Sequence, residues 1–210
     1  MRLPLTLYYG CRGLGDGIGL IHEAAGRDWS AADLPAVADF LSRVTLTLFM
    51  LGVALAVALR FRRVAAADGL YPRLVAVLGT FILLATPTLP RHATAPLLQL
   101  FASALMLLGY GLSLLVMLRL GRSFSIMPEA RRLVTGGPYR LVRHPLYATE
   151  EIAIIGLFLN FLSLPGLLLF LLHGALQLER MRLEEQVLAR AFPDYKRYAA
   201  RTARLIPGLY

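Results

Sequence analysis

Two stretches of the sequence concentrate the ionisable side chains that could do chemistry. The first, "GGPYRLVRHPLYATEE" at 136–151, interrupts long apolar runs, and its ionisable residues are Arg140, Arg143, His144, Glu150 and Glu151. The second, 179–204, contains Arg180 and Glu184, which lie four residues apart and so share one face of a helix. Arginine can hold a carboxylate with two hydrogen bonds, and histidine or glutamate can accept a proton. Brought together at a membrane surface, the two stretches would form a site for charged ligands.

Each of these residues also has a simpler structural interpretation. On spacing alone, Arg180 and Glu184 are better explained as an ion pair on a solvated helix surface. His144 would then be a polar residue at the start of a helix. Glu150 and Glu151 would occupy the first turn of that helix, where the dipole favours carboxylates. The spacing of these residues leaves both interpretations open.

The rest of the chain has the composition of an integral membrane protein. Of the 210 residues, 57% are hydrophobic and 17% are charged, and the mean hydropathy is +0.61; a soluble domain averages about a quarter charged. Three apolar runs, at 39–59, 70–89 and 96–118, approach the roughly 20 residues that cross a bilayer. A fourth run, 152–178, is broken by "NFLSLPG" and predicts a hairpin of two short helices that enters the membrane and returns. The predicted fold is an all-α integral membrane protein with about five transmembrane helices.

The chain divides into three regions. Residues 1–35 form a mixed polar and apolar leader without the apolar core of a signal peptide, 36–118 hold three spans, and 119–210 hold the polar stretches and the hairpin. "GLGDGIG" at 13–19 lacks the spacing of a phosphate-binding loop and predicts a flexible turn. The lone Cys11 excludes an internal disulfide framework and a multi-cysteine metal site. The polar chemistry is therefore confined to the third region, and the sequence assigns no role to the leader.

The loop arginines predict how the chain lies in the membrane. The net charge of +9 sits in short loops rather than on one soluble domain, which argues against nucleic acid and for the lipid bilayer as a partner. Arginines cluster at 60–73 and at 119–143, whereas the loop between the second and third runs holds only Arg91. Cytoplasmic loops are the arginine-rich ones. We therefore expect a multi-pass protein of the bacterial inner membrane, with its N-terminus outside and its polar site and C-terminus in the cytoplasm.

Two sequence blocks on either side of the hairpin carry a family resemblance. They are "RRLVTGGPYRLVRHPLY" and "ERMRLEEQVLARAFPDYKRYAARTARLIP". Over about residues 119–207 the chain resembles the isoprenylcysteine carboxyl methyltransferase and phospholipid methyltransferase superfamily, whose members bind S-adenosylmethionine in a membrane-embedded pocket. The R-H-P-x-Y element, the later Glu-Glu pair and the terminal R-x-I-P carry the likeness. The resemblance implies an S-adenosylmethionine-dependent methyltransferase that acts on a lipophilic acceptor.

The resemblance also implies roles for individual residues. Arg180 would face the methyl acceptor, and Glu184 would hold the cofactor from the far side of the hairpin. The backbone of 131–134 and the element that begins at His144 would contact the cofactor. The cofactor-binding residues implied in this way are Arg131, Arg132, Leu133, Val134, Tyr139, His144, Pro145, Leu146, Tyr147 and Glu184. "GYG" at 109–111 also matches the G-x-G of phospholipid N-methyltransferases, although small residues equally suit ordinary helix packing.

The sequence departs from the family after Tyr147, where "ATEE" follows. Glu150, three residues on, is similar to the last residue of the R-H-P-N-Y-x-G-E element of NADPH-dependent sterol and steroid reductases, but Leu146 stands where those enzymes have Asn. The prediction is therefore a methyltransferase, with a membrane reductase or a non-enzymatic membrane scaffold as alternatives. A carboxylate acceptor would need no base, whereas an amine or a thiol would need His144 or Glu150.

Overall fold

The structure is a computed structural model that describes residues 2–89 and 95–208, and 74% of the chain is helical. Two-residue strands β1 (Ala65–Ala66) and β2 (Glu129–Ala130) pair in antiparallel fashion. The α-helices within the described ranges are α1 (Arg2–Gly26), α2 (Leu34–Leu59), α3 (Tyr71–Phe81), α4 (Pro96–Leu120), α5 (Pro145–Leu159), α6 (Leu164–Ala191) and α7 (Tyr195–Ala199). The prediction of a helical protein is confirmed.

The long helices pack side by side around one apolar core. Helix α2 lies between α1 and α4, α4 lies between α2 and α5, and α6 packs against α3 and α5. Core side chains such as Tyr9, Val57, Met106 and Ala153 come from α1, α2, α4 and α5. By length and composition, α2 and α4 are the two described helices that could cross a membrane. The five-span topology stays a prediction.

The predicted apolar runs become helices with shifted ends. Helix α2 begins at Leu34 rather than at 39, because the Asp33 carboxylate caps it by accepting a 2.9 Å hydrogen bond from the Ala36 N–H. The second run is not one α-helix, since α3 ends at Phe81 and the chain continues as a 3₁₀ helix over Ile82–Thr88. Pro96 lies in the first turn of α4, as predicted.

The hairpin exists, but its two helices are unequal. Helix α5 has 15 residues, while α6 runs unbroken for 28 residues, or about 42 Å. The prediction of two short helices is therefore wrong for the second one. Ser163 caps α6 by accepting a hydrogen bond from the Gly166 N–H, and nothing after Pro165 breaks the helix before its charged end. Because α5 already begins at Pro145, Glu150 and Glu151 lie in its second turn and not in its first.

The predicted flexible turn at 13–19 is wrong, because this segment lies inside α1. Its glycines allow a close approach to α2. A Cβ on Gly13 would lie 2.7 Å from Cδ2 of Leu51, and one on Gly17 would contact Thr47 at 3.7 Å. Small residues spaced along one helix face let two helices pack closely. The leader is therefore part of the bundle.

The two arginine-rich loops, 60–73 and 119–143, lie at the same end of the bundle. The strands β1 and β2 join them, and two further backbone hydrogen bonds extend the junction: Phe61 N–H donates to Arg122 at 2.8 Å and Val64 N–H donates to Ala130 at 2.7 Å. Arg91, whose loop is predicted to lie on the opposite side of the membrane, falls outside the described residues.

Candidate active site

One continuous cavity of about 540 Å³ connects the polar loops with the apolar interior of the bundle. Part of its wall comes from loop and tail residues such as Arg143 and Tyr198, and another part from apolar helix residues such as Ile154 and Leu157. Its volume falls within the roughly 300–1,000 Å³ of small-molecule sites in proteins. The cavity can therefore hold a ligand that has both a polar and an apolar portion.

Glu185 ties the two polar stretches together at the polar part of this cavity. Its carboxylate accepts hydrogen bonds from Arg143 Nε at 2.8 Å and from Arg204 Nη2 at 2.6 Å, and His144 Nε2 lies 3.1 Å away. Burial alone would raise the pKa of Glu185, but the bonds from His144, Arg204 and Arg143 outweigh burial and hold the pKa well below its usual range. Glu185 is therefore ionised and structural, and sequence reasoning assigned it no role. Its adjacency to Glu184 in the Glu-Glu pair was the available signal.

The C-terminal tail completes this arrangement. Arg143 N–H donates to the Ala203 carbonyl at 2.8 Å, and His144 N–H donates to the Arg204 carbonyl at 3.1 Å. Tyr198 OH also donates to the Tyr139 carbonyl at 2.6 Å. The segment before α5 is thus held from one side by α6 and from another side by the tail.

Glu184 faces the cavity one residue from this network. Its carboxylate accepts a hydrogen bond from the Tyr147 hydroxyl. Burial raises the pKa of Glu184 by more than Arg180, His144 and the Tyr147 bond lower it. A half-buried carboxylate next to an unfilled volume is a ready acceptor for hydroxyl or amino groups of a ligand.

Arg180 is buried, so the surface ion pair that its spacing favoured is wrong. Its side chain is 9% exposed, with Nη1 donating to Gln177 Oε1 at 2.8 Å and Nη2 donating to the Ile126 carbonyl at 3.2 Å. The guanidinium carbon lies 5.2 Å from the centre of the Tyr147 ring, within the range of a cation–π contact. Arg180 Nε is buried and forms no hydrogen bond with any described residue. The guanidinium is thus fixed at the cavity wall with one N–H that the described part of the chain does not use.

Two further ionisable residues lie where the cavity enters the helices. Glu150 is half-buried on the cavity wall. His173, on α6, also lines the cavity, and its Nε2 lies 3.2 Å from Oε1 of Glu151. Those two atoms are close, but they do not form a hydrogen bond.

The structure brings the predicted site residues together on this one cavity. Arg180 and all the predicted cofactor residues except Pro145 contribute to its wall. Pro145 is buried in the first turn of α5, where it starts the helix that carries Tyr147. Helix α1 contributes as well, since Tyr8, Tyr9, Arg12 and Asp16 also line the cavity. The leader therefore helps to shape the candidate site.

Part of the chain also matches a known protein family. A family model described as phospholipid methyltransferase matches residues 97–195, which run from the first turn of α4 to the start of α7. The chain is therefore similar to this family over residues 97–195, a little under half of its length. The match confirms the superfamily resemblance that the two sequence blocks carry.

Two curated relatives match shorter segments. The chain is 42% identical to the cobalt-zinc-cadmium resistance protein CzcN of Cupriavidus metallidurans over 78 aligned residues. These residues make up 37% of this chain and 36% of that protein. Over 82 residues the chain is 37% identical to the nickel-cobalt-cadmium resistance protein NccN of Alcaligenes xylosoxydans xylosoxydans, which covers 39% of this chain and 38% of that protein. The chain thus aligns with little more than a third of the length of either relative.

Proposed function

We propose that the protein is a membrane-embedded methyltransferase that uses S-adenosylmethionine to methylate a lipophilic acceptor. The family match supports a membrane methyltransferase. The observation that carries the finer proposal is the cavity, because it places the polar motif residues and an apolar helix wall around one volume. A charged, water-soluble cofactor and an acceptor from the lipid phase could meet there.

The residues at the polar part of the cavity suit the cofactor. S-Adenosylmethionine supplies a methyl group carried on a positively charged sulfur. Glu184 offers carboxylate oxygens for its hydroxyl or amino groups, and Tyr139 and Tyr147 place aromatic rings on the wall. The backbone of 131–134 would hold it from the loop side. The wall offers both carboxylates and guanidinium groups, which suits a ligand that carries positive and negative charges together.

Arg180 would orient an acceptor that carries a carboxylate. The bonds to Gln177 and to the Ile126 carbonyl fix the guanidinium in place, while the described residues leave Nε–H unused. Methyl transfer requires the attacking atom, the methyl carbon and the sulfur to be aligned, so a fixed donor contributes by positioning the acceptor. The apolar wall, which includes Ile154 and Leu157, would hold the lipophilic part of the acceptor.

Ligand-induced stabilisation tests the cofactor assignment. In detergent, S-adenosylhomocysteine at about 100 times its Kd should stabilise the protein by about 2.7 kcal/mol, which corresponds to a rise in Tm of several degrees. Glu184→Gln, if it weakens binding by about 1–3 kcal/mol, should remove about 1–2.4 kcal/mol of this stabilisation. Glu179→Gln is the matched control, because Glu179 lies on the same helix but off the cavity and pairs with Arg182.

NADPH provides the opposing arm of the experiment. It should leave the Tm unchanged under the same conditions. Stabilisation by NADPH, without any by S-adenosylhomocysteine, would replace the methyltransferase with the reductase interpretation. Stabilisation by neither ligand would favour a non-enzymatic membrane protein that retains the fold.

A further inference from the structure

A second hollow, of about 630 Å³, opens at the C-terminal end of α2. It lies at the junction of α1, α2 and the loop that carries β2, and it shares residues 131–132 with the wall of the candidate active site. Its wall is almost entirely cationic, being formed by Arg2, Arg60, Phe61, Arg62, Arg122, Arg131 and Arg132.

Capping of α2 explains only part of this cluster. The last carbonyls of a helix lack partners within the helix and favour nearby cations. Arg122 Nε donates to the Leu59 carbonyl at 2.7 Å, Arg2 Nη2 donates to the Arg60 carbonyl at 3.0 Å, and Arg131 Nη1 donates to the Phe61 carbonyl. Each guanidinium has five N–H groups. These bonds therefore use a minority of the available donors.

The positive charge of the cluster is not balanced by carboxylates. Within the described residues, Glu129 is the carboxylate that pairs with it, contacting Arg131 and, at 3.5 Å, Arg63. Arg60 is 6% exposed, yet its Nε and Nη1 are buried and form no hydrogen bond with the described residues, and the same holds for Arg131 Nε. Burial lowers the pKa of Arg60, and the neighbouring charge of Arg131 lowers it further. Buried donors without partners cost stability unless a ligand satisfies them.

We propose that this hollow binds a phosphate group. Phosphate oxygens accept several charge-assisted hydrogen bonds at once, and the planar guanidinium fork matches their geometry. Arg60 follows directly after the last turn of α2, which is one of the helices apolar enough to cross a membrane. In a bilayer that α2 crosses, Arg60 would lie at the level of the lipid headgroups, so the phosphate comes either from an anionic phospholipid or from the aqueous phase.

A bound phosphate would join three parts of the fold. Arg2 begins α1, Arg60 directly follows α2, and Arg131 and Arg132 follow β2. Since Arg131 and Arg132 also contribute to the wall of the candidate active site, the phosphate would fix one side of that cavity. Detecting this binding does not depend on any methyl transfer.

Thermal unfolding of the delipidated protein in a neutral detergent tests the proposal. Sodium phosphate and dioctanoyl phosphatidylglycerol are each titrated against sodium chloride at equal ionic strength. We expect a saturable rise in Tm that chloride does not produce. Saturation by the lipid at a concentration at least tenfold below that of phosphate identifies a headgroup site, and the reverse order identifies a site for free phosphate.

Matched charge variants separate this hollow from general attraction to a basic protein. Arg60→Gln and Arg62→Gln should each raise the half-saturating concentration of the phosphate ligand at least tenfold. Arg73→Gln removes the same charge from an exposed position on α3 and should respond as the wild type does. Should Arg60→Gln fail to fold, the exposed Arg62→Gln decides the outcome alone. Equal responses from Arg62→Gln and Arg73→Gln, or no rise in Tm with either phosphate source, would overturn the proposal.

Discussion

The two glycines of "GYG" on α4 should respond to alanine in opposite ways. A Cβ on Gly109 would lie 2.3 Å from the backbone nitrogen and 2.7 Å from Cα of Ala153 on α5. Ordinary contacts begin near 3.4 Å, so α4 and α5 would have to separate by about 1 Å. Gly111 is two residues further along the same helix, and a Cβ there meets nothing within 4 Å.

These geometries set the size of each effect. Overpacking against a rigid backbone costs about 1–3 kcal/mol, and replacing glycine with alanine inside a helix returns about 0.5–1 kcal/mol. Gly109→Ala should therefore lose about 1 kcal/mol at the middle of these ranges and at most about 2.5 kcal/mol, or roughly 2–10 °C in Tm. Gly111→Ala should gain about 0.5–1 kcal/mol, or roughly 1–4 °C.

Thermal unfolding of both variants in one detergent, with and without S-adenosylhomocysteine, measures the difference. Neither glycine lines the cavity. The rise in Tm that the ligand produces should therefore be the same in Gly111→Ala as in the wild type. If Gly109→Ala is as stable as Gly111→Ala, the close crossing of α4 and α5 is wrong. If Gly111→Ala loses the response to the ligand, "GYG" acts as a cofactor motif and not as a packing site.

Three further predictions concern the polar network and the orientation of the chain. Glu185→Gln should cost about 2 kcal/mol at pH 7, as loss of charge-assisted hydrogen bonds does. Because the pKa of Glu185 is held below its usual range, the stability that its charge contributes is present above the ordinary glutamate pKa and is lost as pH falls. The Tm of the wild type should therefore approach the Tm of the variant on acidification. A difference in Tm that stays constant with pH would contradict the network. In isothermal titration, Glu184→Gln should weaken S-adenosylmethionine binding by about 1–3 kcal/mol, whereas Arg180→Lys should change the Kd by less than about threefold. Equal losses of cofactor affinity in the two variants would mean that both residues support the structure and that neither has a separate role in binding. A reporter fused after Tyr210 should be cytoplasmic and one inserted near Arg91 external, and a periplasmic C-terminus would refute the arginine assignment.

Apolar length and motif chemistry were readable from the sequence. The runs that became α2 and α4 are long and apolar enough to be recognised without any tertiary information. The residues of the R-H-P-x-Y element and of the Glu-Glu pair could be assigned to one site because the hairpin returns the chain to its starting side. Their contacts through Glu185 agree with that assignment.

Features that depend on a partner helix were not readable. Glycines at 13 and 17 predict a turn when only local preference is considered, but packing against Leu51 and Thr47 makes them suitable for a helix. Arg180 is similar, because four-residue spacing describes a surface pair as well as a buried pair. The hydrogen bonds from Arg180 to Gln177 and to the Ile126 carbonyl distinguish the buried arrangement, and they are visible only in the folded structure.

The pairing of the tail with the segment before α5 imposes an order on biosynthesis. Arg143 and His144 receive their backbone partners from residues 203 and 204, about 60 positions later in the chain. Those partners are synthesised after both α5 and α6. The polar part of the cavity can therefore assemble only once residue 204 has been made, so a chain that stops at the end of α6 lacks the tail contacts of Arg143 and His144.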